Sequence, residues 1–265
     1  MRLPLALVSA FMVVALPPVG KPAPAATGTA EDRSAPQSCR LRYVMSLSGV
    51  EVGKLELRLV IEGDEARAWM SLENKGLAAL FAKIRTTMQG RVQLADGEPR
   101  PDEFHIRYEK PDRYRDIRLE FDERGELRDI AYVNNGRPRQ SEVPAELRAG
   151  TVDPMTAFLR LQRWLAAASA PGERIRIPVF EGRKRLDVEV EYLGPADGRA
   201  GANGRLHRLR ARLVGLFGFE DGYGFVGRPD GDPNWLDVVA SEEPCPSPLE
   251  VRGRSALYEP EIRRR

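Results

Sequence analysis

Histidine and cysteine are scarce in this chain, with two of each among 265 residues. His105 and His207 lie outside any His-Glu-x-x-His segment, and there is no Cys-x-x-Cys pair, so the residues give little support to a zinc site. A Gly-x-Ser-x-Gly motif, which marks the nucleophile of many hydrolases, is also missing. We therefore expect no cofactor, no metal and no enzymatic activity, and we expect both histidines to be ordinary polar residues of strands.

Neither sign of charge dominates the sequence. The formal net charge is only +2, and it comes from Arg2 and Lys21 near the N-terminus. Without these two residues, the numbers of basic and acidic side chains are equal. A protein that binds nucleic acid normally carries a basic excess on one face. The balance therefore predicts no nucleic-acid partner.

Long hydrophobic runs are missing except at the N-terminus. Arg2 precedes an apolar run from Leu3 to Leu16, and small residues ending at Ala25 follow. This order is typical of a secretory signal peptide, and the run is shorter than the roughly 20 residues that cross a bilayer. We predict a signal peptide over residues 1–25, cleavage near Ala25, and a periplasmic protein that does not span the membrane. Residues 26–38 are predicted to be a disordered leader.

The two cysteines, Cys39 and Cys245, lie near opposite ends of the remaining chain. In an exported protein, an even number of cysteines favours a disulfide. The bond would close a long loop, for which the chain-entropy account gives about 5 kcal/mol as an upper figure. Two separate thiols, buried or free, are the alternative.

Apolar and charged residues alternate along most of the chain, beginning at Leu41. A period of two residues, broken by turns rich in glycine and aspartate, is typical of half-buried antiparallel strands. One long helix is predicted to start at Asp153-Pro154, because aspartate caps free amides and proline suits a first helical turn. We predict one mainly β domain over residues 39–258, a curved antiparallel sheet or open half-barrel with the helix on its concave side. Residues 259–265 are predicted to be a frayed basic tail.

An aromatic, glycine-rich segment begins at Phe217. It is either a hairpin that closes one end of the core or an aromatic lip over an apolar cavity that faces the helix. Concave apolar cavities bordered by movable segments are the usual form of small-molecule sites. The second interpretation predicts these ligand-binding residues on the helix and the segment: Phe158, Leu161, Trp164, Phe217, Phe219, Tyr223 and Phe225.

Three short motifs resemble a known family in their order and spacing. They are the hairpin Tyr43-Val44-Met45 to Gly53-Lys54-Leu55, the helix start Asp153–Phe158 and the hairpin Pro178–Lys184. Together they resemble the bacterial exported proteins grouped as domain of unknown function 3108, over about residues 40–258. The resemblance implies a fold similar to the open half-barrels of lipoprotein carriers, which hold acyl chains in a concave apolar face. It implies no catalytic residues, since that family has no settled activity.

Three functions are considered on this basis. The leading hypothesis is a non-enzymatic periplasmic protein that binds a lipid-like or apolar envelope component in a half-barrel cavity. The alternative is a protein-interaction module of a cell-envelope complex, which would use its sheet edges or its exposed face. A hydrolase with two carboxylates that are distant in sequence comes third.

Overall fold

The structure is a computed structural model, and the residues that it describes are 37–76, 79, 83–94, 97–197, 205–219, 226–229, 231, 234–241, 247–253 and 259–265. The predicted signal peptide and nearly all of the predicted leader lie outside these residues. Cys245, Tyr223 and Phe225 also lie outside them. Neither helix of the described part is both long enough and apolar enough to cross a membrane.

Fifteen strands and two helices make up the described part of the chain. The strands are β1 Gln37–Leu47, β2 Val50–Glu62, β3 Glu65–Asn74, β4 Arg85–Gln93, β5 Arg100–Lys110, β6 Arg113–Phe121, β7 Leu127–Asn134, β8 Arg137–Arg139, β9 Arg174–Phe180, β10 Arg185–Pro195, β11 Leu206–Phe217, β12 Val226–Gly227, β13 Leu236–Ser241, β14 Ser247–Gly253 and β15 Pro260–Arg264. The helices α1 Ala145–Arg148 and α2 Pro154–Ala167 lie between β8 and β9.

All the strands belong to one sheet, in the order β8-β7-β6-β5-β4-β3-β2-β1-β15-β14-β13-β11-β10-β9, with β12 paired to β11. Neighbours in this order pair antiparallel, and only β12 pairs parallel. Two-residue turns join β1 to β2, β2 to β3, β5 to β6 and β7 to β8. The turn between β7 and β8 shows why, since Asn135 and Gly136 both have positive φ and Asn-Gly is a favoured pair for such turns. In the described part, β8 and β9 are the edges of an open sheet.

The C-terminal residues are part of this sheet, so the prediction of a frayed tail over residues 259–265 is wrong. β15 lies between β1 and β14, with Arg264 opposite Tyr43. A run of three arginines does not by itself indicate a strand. In the structure, the exposed Arg263 forms ion pairs with Glu250 and Glu261, and these pairs offset its charge. β1 likewise begins at Gln37, inside the predicted leader.

The hydrophobic core lies on the concave side of the sheet. Inward-facing residues of the strands form one cluster with the apolar side chains of α2. The helix contacts β9 at one edge and also β4 and β5. Because these strands lie far apart in the strand order, the sheet must curve around α2. The predicted mainly β, open half-barrel architecture is therefore confirmed.

The start of α2 is fixed as the sequence predicts. The Asp153 carboxylate accepts hydrogen bonds from the backbone amides of Met155 at 2.7 Å and Thr156 at 3.2 Å, and from the Thr156 hydroxyl. Just before it, Val152 pairs in parallel with Val179 of β9. These contacts anchor the helix start to the inner side of the sheet.

Candidate functional site

The predicted ligand-binding residues of α2 are mostly part of the core. Phe158 and Leu161 are 2% and 1% exposed, whereas Trp164 is partly buried and packs on the core. α2 runs antiparallel to β9. Val152, just before the helix, pairs with Val179 near the end of β9. Ala170, just after the helix, donates its amide to Glu173, which comes just before β9. Trp164, in the last turns of the helix, therefore lies toward the beginning of β9.

The described part of the aromatic segment lies at the other end of β9. Phe217 is in register with Arg185, which is also in register with the last residue of β9. The Lys184 ammonium lies 4.7 Å from the centre of the Phe219 ring. A Cβ atom at Gly218, where φ is +80°, would come within 2.7 Å of the Arg183 carbonyl oxygen. The structure thus places Phe217 and Phe219 against the β9–β10 turn and away from Trp164.

The β9–β10 turn, residues 181–184, reaches across the concave side to β6. Gly182 has a φ of +99°, and a Cβ atom there would collide with the side chain of Ile117 on β6. Position 182 therefore favours glycine for two reasons: the backbone has a positive φ, and the turn approaches Ile117 too closely for a side chain. The turn links the aromatic segment to the inner surface of β6.

A row of polar side chains crosses the inner surface next to Ile117. Four neighbouring strands each contribute one residue, and each residue is directly opposite the next one. They are Thr86 on β4, Tyr108 on β5, Arg115 on β6 and Asn134 on β7. Along β6, buried and exposed positions alternate so that Arg115 shares the inward side of Ile117. We call Thr86, Tyr108, Arg115 and Asn134 the polar row. It runs perpendicular to the strands beside the β9–β10 turn.

The polar row contains several buried polar atoms without partners. Thr86 Oγ1, Arg115 Nε and Asn134 Oδ1 are inaccessible to solvent and make no hydrogen bond within the described structure, and the same holds for Glu181 Oε1 in the turn. Thr86 as a whole is only 1% exposed. Each such atom costs about 1–3 kcal/mol, and native proteins tolerate few of them. Half of the unpartnered buried side-chain atoms of the described residues lie in the polar row and the turn, and such atoms call for an explanation, of which a bound water or ion is one.

The electrostatics of this neighbourhood are positive. Arg115 and Arg183 are half-buried, and neither forms an ion pair with an acidic residue of the described part. Burial first, and then the nearby charge of Arg183, lower the pKa of the Arg115 guanidinium. Burial raises the pKa of the Glu181 carboxyl, while Arg183, Lys184 and Arg115 oppose that rise. The arrangement can therefore attract an anion.

The two histidines lie elsewhere. His105 fits the prediction of an ordinary outward-facing residue, since its Nε2 lies 3.0 Å from Asp116, which also accepts bonds from Arg107 and Tyr114. His207 differs, because it is buried and its Nδ1 lies 3.2 Å from the Tyr192 hydroxyl. Within the described residues, no cluster of histidine, cysteine or acidic side chains is arranged to hold a metal ion.

Sequence reasoning missed the polar row, because each of its members lies on a different strand. Only the register of four strands brings them together. One signal was present. Arg115 occupies an inward position on a strand whose next inward positions are Ile117, Leu119 and Phe121. A charged residue that interrupts an apolar side in this way is a reason to look for a site.

Comparison with known proteins adds a family assignment. A family model described as "Protein of unknown function (DUF3108)" matches residues 42–206. This range contains the polar row, α2 and the β9–β10 turn. No curated protein and no solved structure matches the chain.

Proposed function

The chain belongs to the family described as Protein of unknown function (DUF3108), and from that premise we propose that it is a non-enzymatic periplasmic protein that binds a lipid-like component of the cell envelope on the concave side of its half-barrel. The family description carries no activity, so the proposal depends on geometry. Its main support is the polar row, which borders an apolar concave surface. Apolar linings with a few placed polar groups are characteristic of small-molecule sites.

We assign the acyl chain of the proposed lipid ligand to the inner side of β7. Leu127, Ile130 and Tyr132 face the core but are only partly buried. They lie in register with Phe121, Leu119 and Ile117 of β6. We call Leu127, Ile130 and Tyr132 the apolar strip.

The apolar strip has a suitable length and one polar end. At about 3.4 Å per residue, the strip extends about 17 Å from Leu127 to Tyr132, and Asn134 follows at about 24 Å, so that a long acyl chain and its head group fit along β7. Asn134 belongs to the polar row, so the strip ends where the unpartnered polar atoms begin. A molecule with one apolar tail and one polar head matches this order.

Lipid extraction tests the proposal. The mature protein, purified from the periplasm, is expected to release a lipid into organic solvent and to show the added mass in native mass spectrometry. Ile130→Glu places a charge in the apolar strip and should abolish the bound lipid. Ala131→Glu is the matched control, because Ala131 is exposed on the opposite side of the same strand. A wild-type protein that contains no lipid and gains none from added lipid would contradict the proposal.

The alternative function, an interaction module of an envelope complex, would use the sheet edges to bind another chain. The two edges of the described sheet give this alternative little support. β8 is short, exposed and carries Pro138 between two arginines, features that protect an edge from pairing with other chains. At the other edge, β9 already pairs with Val152. These features favour the lipid-binding proposal over strand addition.

The periplasmic location is proposed together with two features at the ends of the chain. The signal peptide over residues 1–25 would direct export, and export would allow Cys39 and Cys245 to form a disulfide. Cys39 is partly buried on β1, where it packs against the core opposite Leu59. The bond would then connect β1 to the segment between β13 and β14, two parts of the sheet that β15 separates.

A further inference from the structure

We propose that Arg115 and Arg183 bind the anionic head group of the ligand, so that the ligand class is an acidic amphiphile with a carboxylate or phosphate head. This inference rests on the proposed function and narrows it. The two arginines come from opposite sides of the concave surface, Arg115 from β6 and Arg183 from the β9–β10 turn. An anion between them would hold the turn against the strand.

The first argument is the contrast with the other arginines. Most arginines on the convex side are neutralised by a neighbouring strand, as Arg212 is by Glu189 at 2.6 Å and Arg210 by Glu191 at 2.8 Å. Arg115 and Arg183 form no such pair within the described structure, although they lie near enough to repel each other. Two like charges held together in a partly desolvated place are stabilised by an anion between them.

The second argument is the chemistry of the unpartnered atoms. Arg115 Nε is a donor, and the Thr86 hydroxyl can donate. Guanidinium groups bind carboxylates and phosphates with two parallel hydrogen bonds, so Arg115 and Arg183 suit these heads better than lysines would. The Asn134 amide carries an acceptor oxygen and a donor nitrogen, so a half-turn of the amide presents the nitrogen to an anionic head group.

The third argument concerns Glu181, the acidic residue of the turn. The nearby charges of Arg183, Lys184 and Arg115 all lower the pKa of its carboxyl. Nevertheless its Oε1 makes no hydrogen bond and the side chain forms no ion pair with them. Burial raises its pKa, which favours the neutral form. The Glu181 carboxyl therefore competes less with a ligand anion for the two guanidinium groups.

The fourth argument is the position of the site at the end of the apolar strip. Arg115 is directly opposite Asn134 on β7, and the next inward residue of β7 is Tyr132. A head group at Arg115 therefore places the first carbons of a tail on Tyr132. The head group and the tail of the ligand would therefore be bound by neighbouring parts of one surface.

The experiment compares three probes by titration calorimetry: oleate, oleyl alcohol and inorganic phosphate. The delipidated wild-type protein is expected to bind oleate at least tenfold more tightly than oleyl alcohol, in line with a charge-assisted hydrogen bond. Arg115→Gln should lower oleate affinity about 10-fold to 100-fold and leave oleyl alcohol unchanged. Arg118→Gln, on the exposed side of the same strand, is the matched control and should change neither.

Arg183→Gln gives an independent variant in case Arg115→Gln folds poorly. It lies in a turn and should lower oleate affinity in the same way. Equal affinities for oleate and oleyl alcohol in the wild type, unaffected by either variant, would overturn the head-group assignment and leave lipid binding intact. Failure of both lipids to bind would overturn the proposed function. Phosphate binding that depends on Arg115 without any lipid binding would overturn both, since the site would then serve a free anion.

Discussion

Gly90 on β4 lies directly beneath Met155, so that a Cβ atom at position 90 would stand 2.6 Å from the Cβ atom of Met155. This close approach lets the start of α2 rest on the backbone of the sheet. It also brings Asp153 to the inner surface of β4, within 3.5 Å of that same position.

Gly90→Ala should destabilise the protein, because the added methyl group must displace Met155 in a closely packed core. Overpacking of this kind costs about 1–3 kcal/mol. Urea unfolding followed by tryptophan fluorescence measures the change. Gly231→Ala is the matched control, since the nearest atom to its Cβ is 3.5 Å away and its φ is not positive. Equal midpoints for the two variants would show that α2 does not rest on β4.

Asp153 should make the protein less stable as the pH rises. Burial raises the pKa of its carboxyl from the ordinary 3.8 to about 6, against the hydrogen bonds that it accepts. The folded state therefore binds a proton that the unfolded state releases between these two values, and stability falls as the pH passes through this window. The full effect of this one group is about 3 kcal/mol.

Asp153→Asn isolates that effect, because an amide can still accept the helix amides but does not titrate. The free energy of unfolding of wild type minus that of Asp153→Asn should decrease between pH 4 and pH 7, by about 2–3 kcal/mol. Denaturant titrations at several pH values measure it. A difference that stays constant or increases with pH would contradict the assigned direction.

Removal of residues 259–265 should prevent cooperative folding. The deletion removes β15 from the middle of the sheet and leaves β1 and β14 without their shared neighbour. Circular dichroism during heating would show no sharp transition. Arg265→Ala is the control, since its pair with Glu51 is exposed and such changes stay within about 0.5 kcal/mol. A truncated protein that melts like the control would mean that β15 is dispensable.

The proposed disulfide predicts a cross-linked peptide. Tryptic digestion without reductant should yield one species that contains both Cys39 and Cys245, and reduction should separate it. Cys39→Ser should lower the free energy of unfolding by about 2–5 kcal/mol, and Ser38→Ala on the same strand should not. Alkylation of both thiols in the native, unreduced protein would establish two free cysteines instead.

The local pattern of the sequence was sufficient for the architecture and insufficient for the site. Alternation of apolar and charged residues predicted the strands, and Asp153-Pro154 predicted the start of α2, because both depend on neighbours in sequence. β15 was missed because Arg263-Arg264-Arg265 looks solvated unless Glu250 and Glu261 are known to lie beside it. The polar row was missed because its members meet only through the pairing of β4, β5, β6 and β7.

The central position of β15 in the sheet affects the order in which the chain can fold. The hairpins between β1 and β8 need only residues up to Arg139, whereas the outer edge of β1 has no partner until residues 260–264 join the sheet. A partly folded chain therefore exposes an unpaired strand edge until β15 docks, and such edges attract other chains. We expect aggregation during refolding to begin from chains in which β15 has not yet docked.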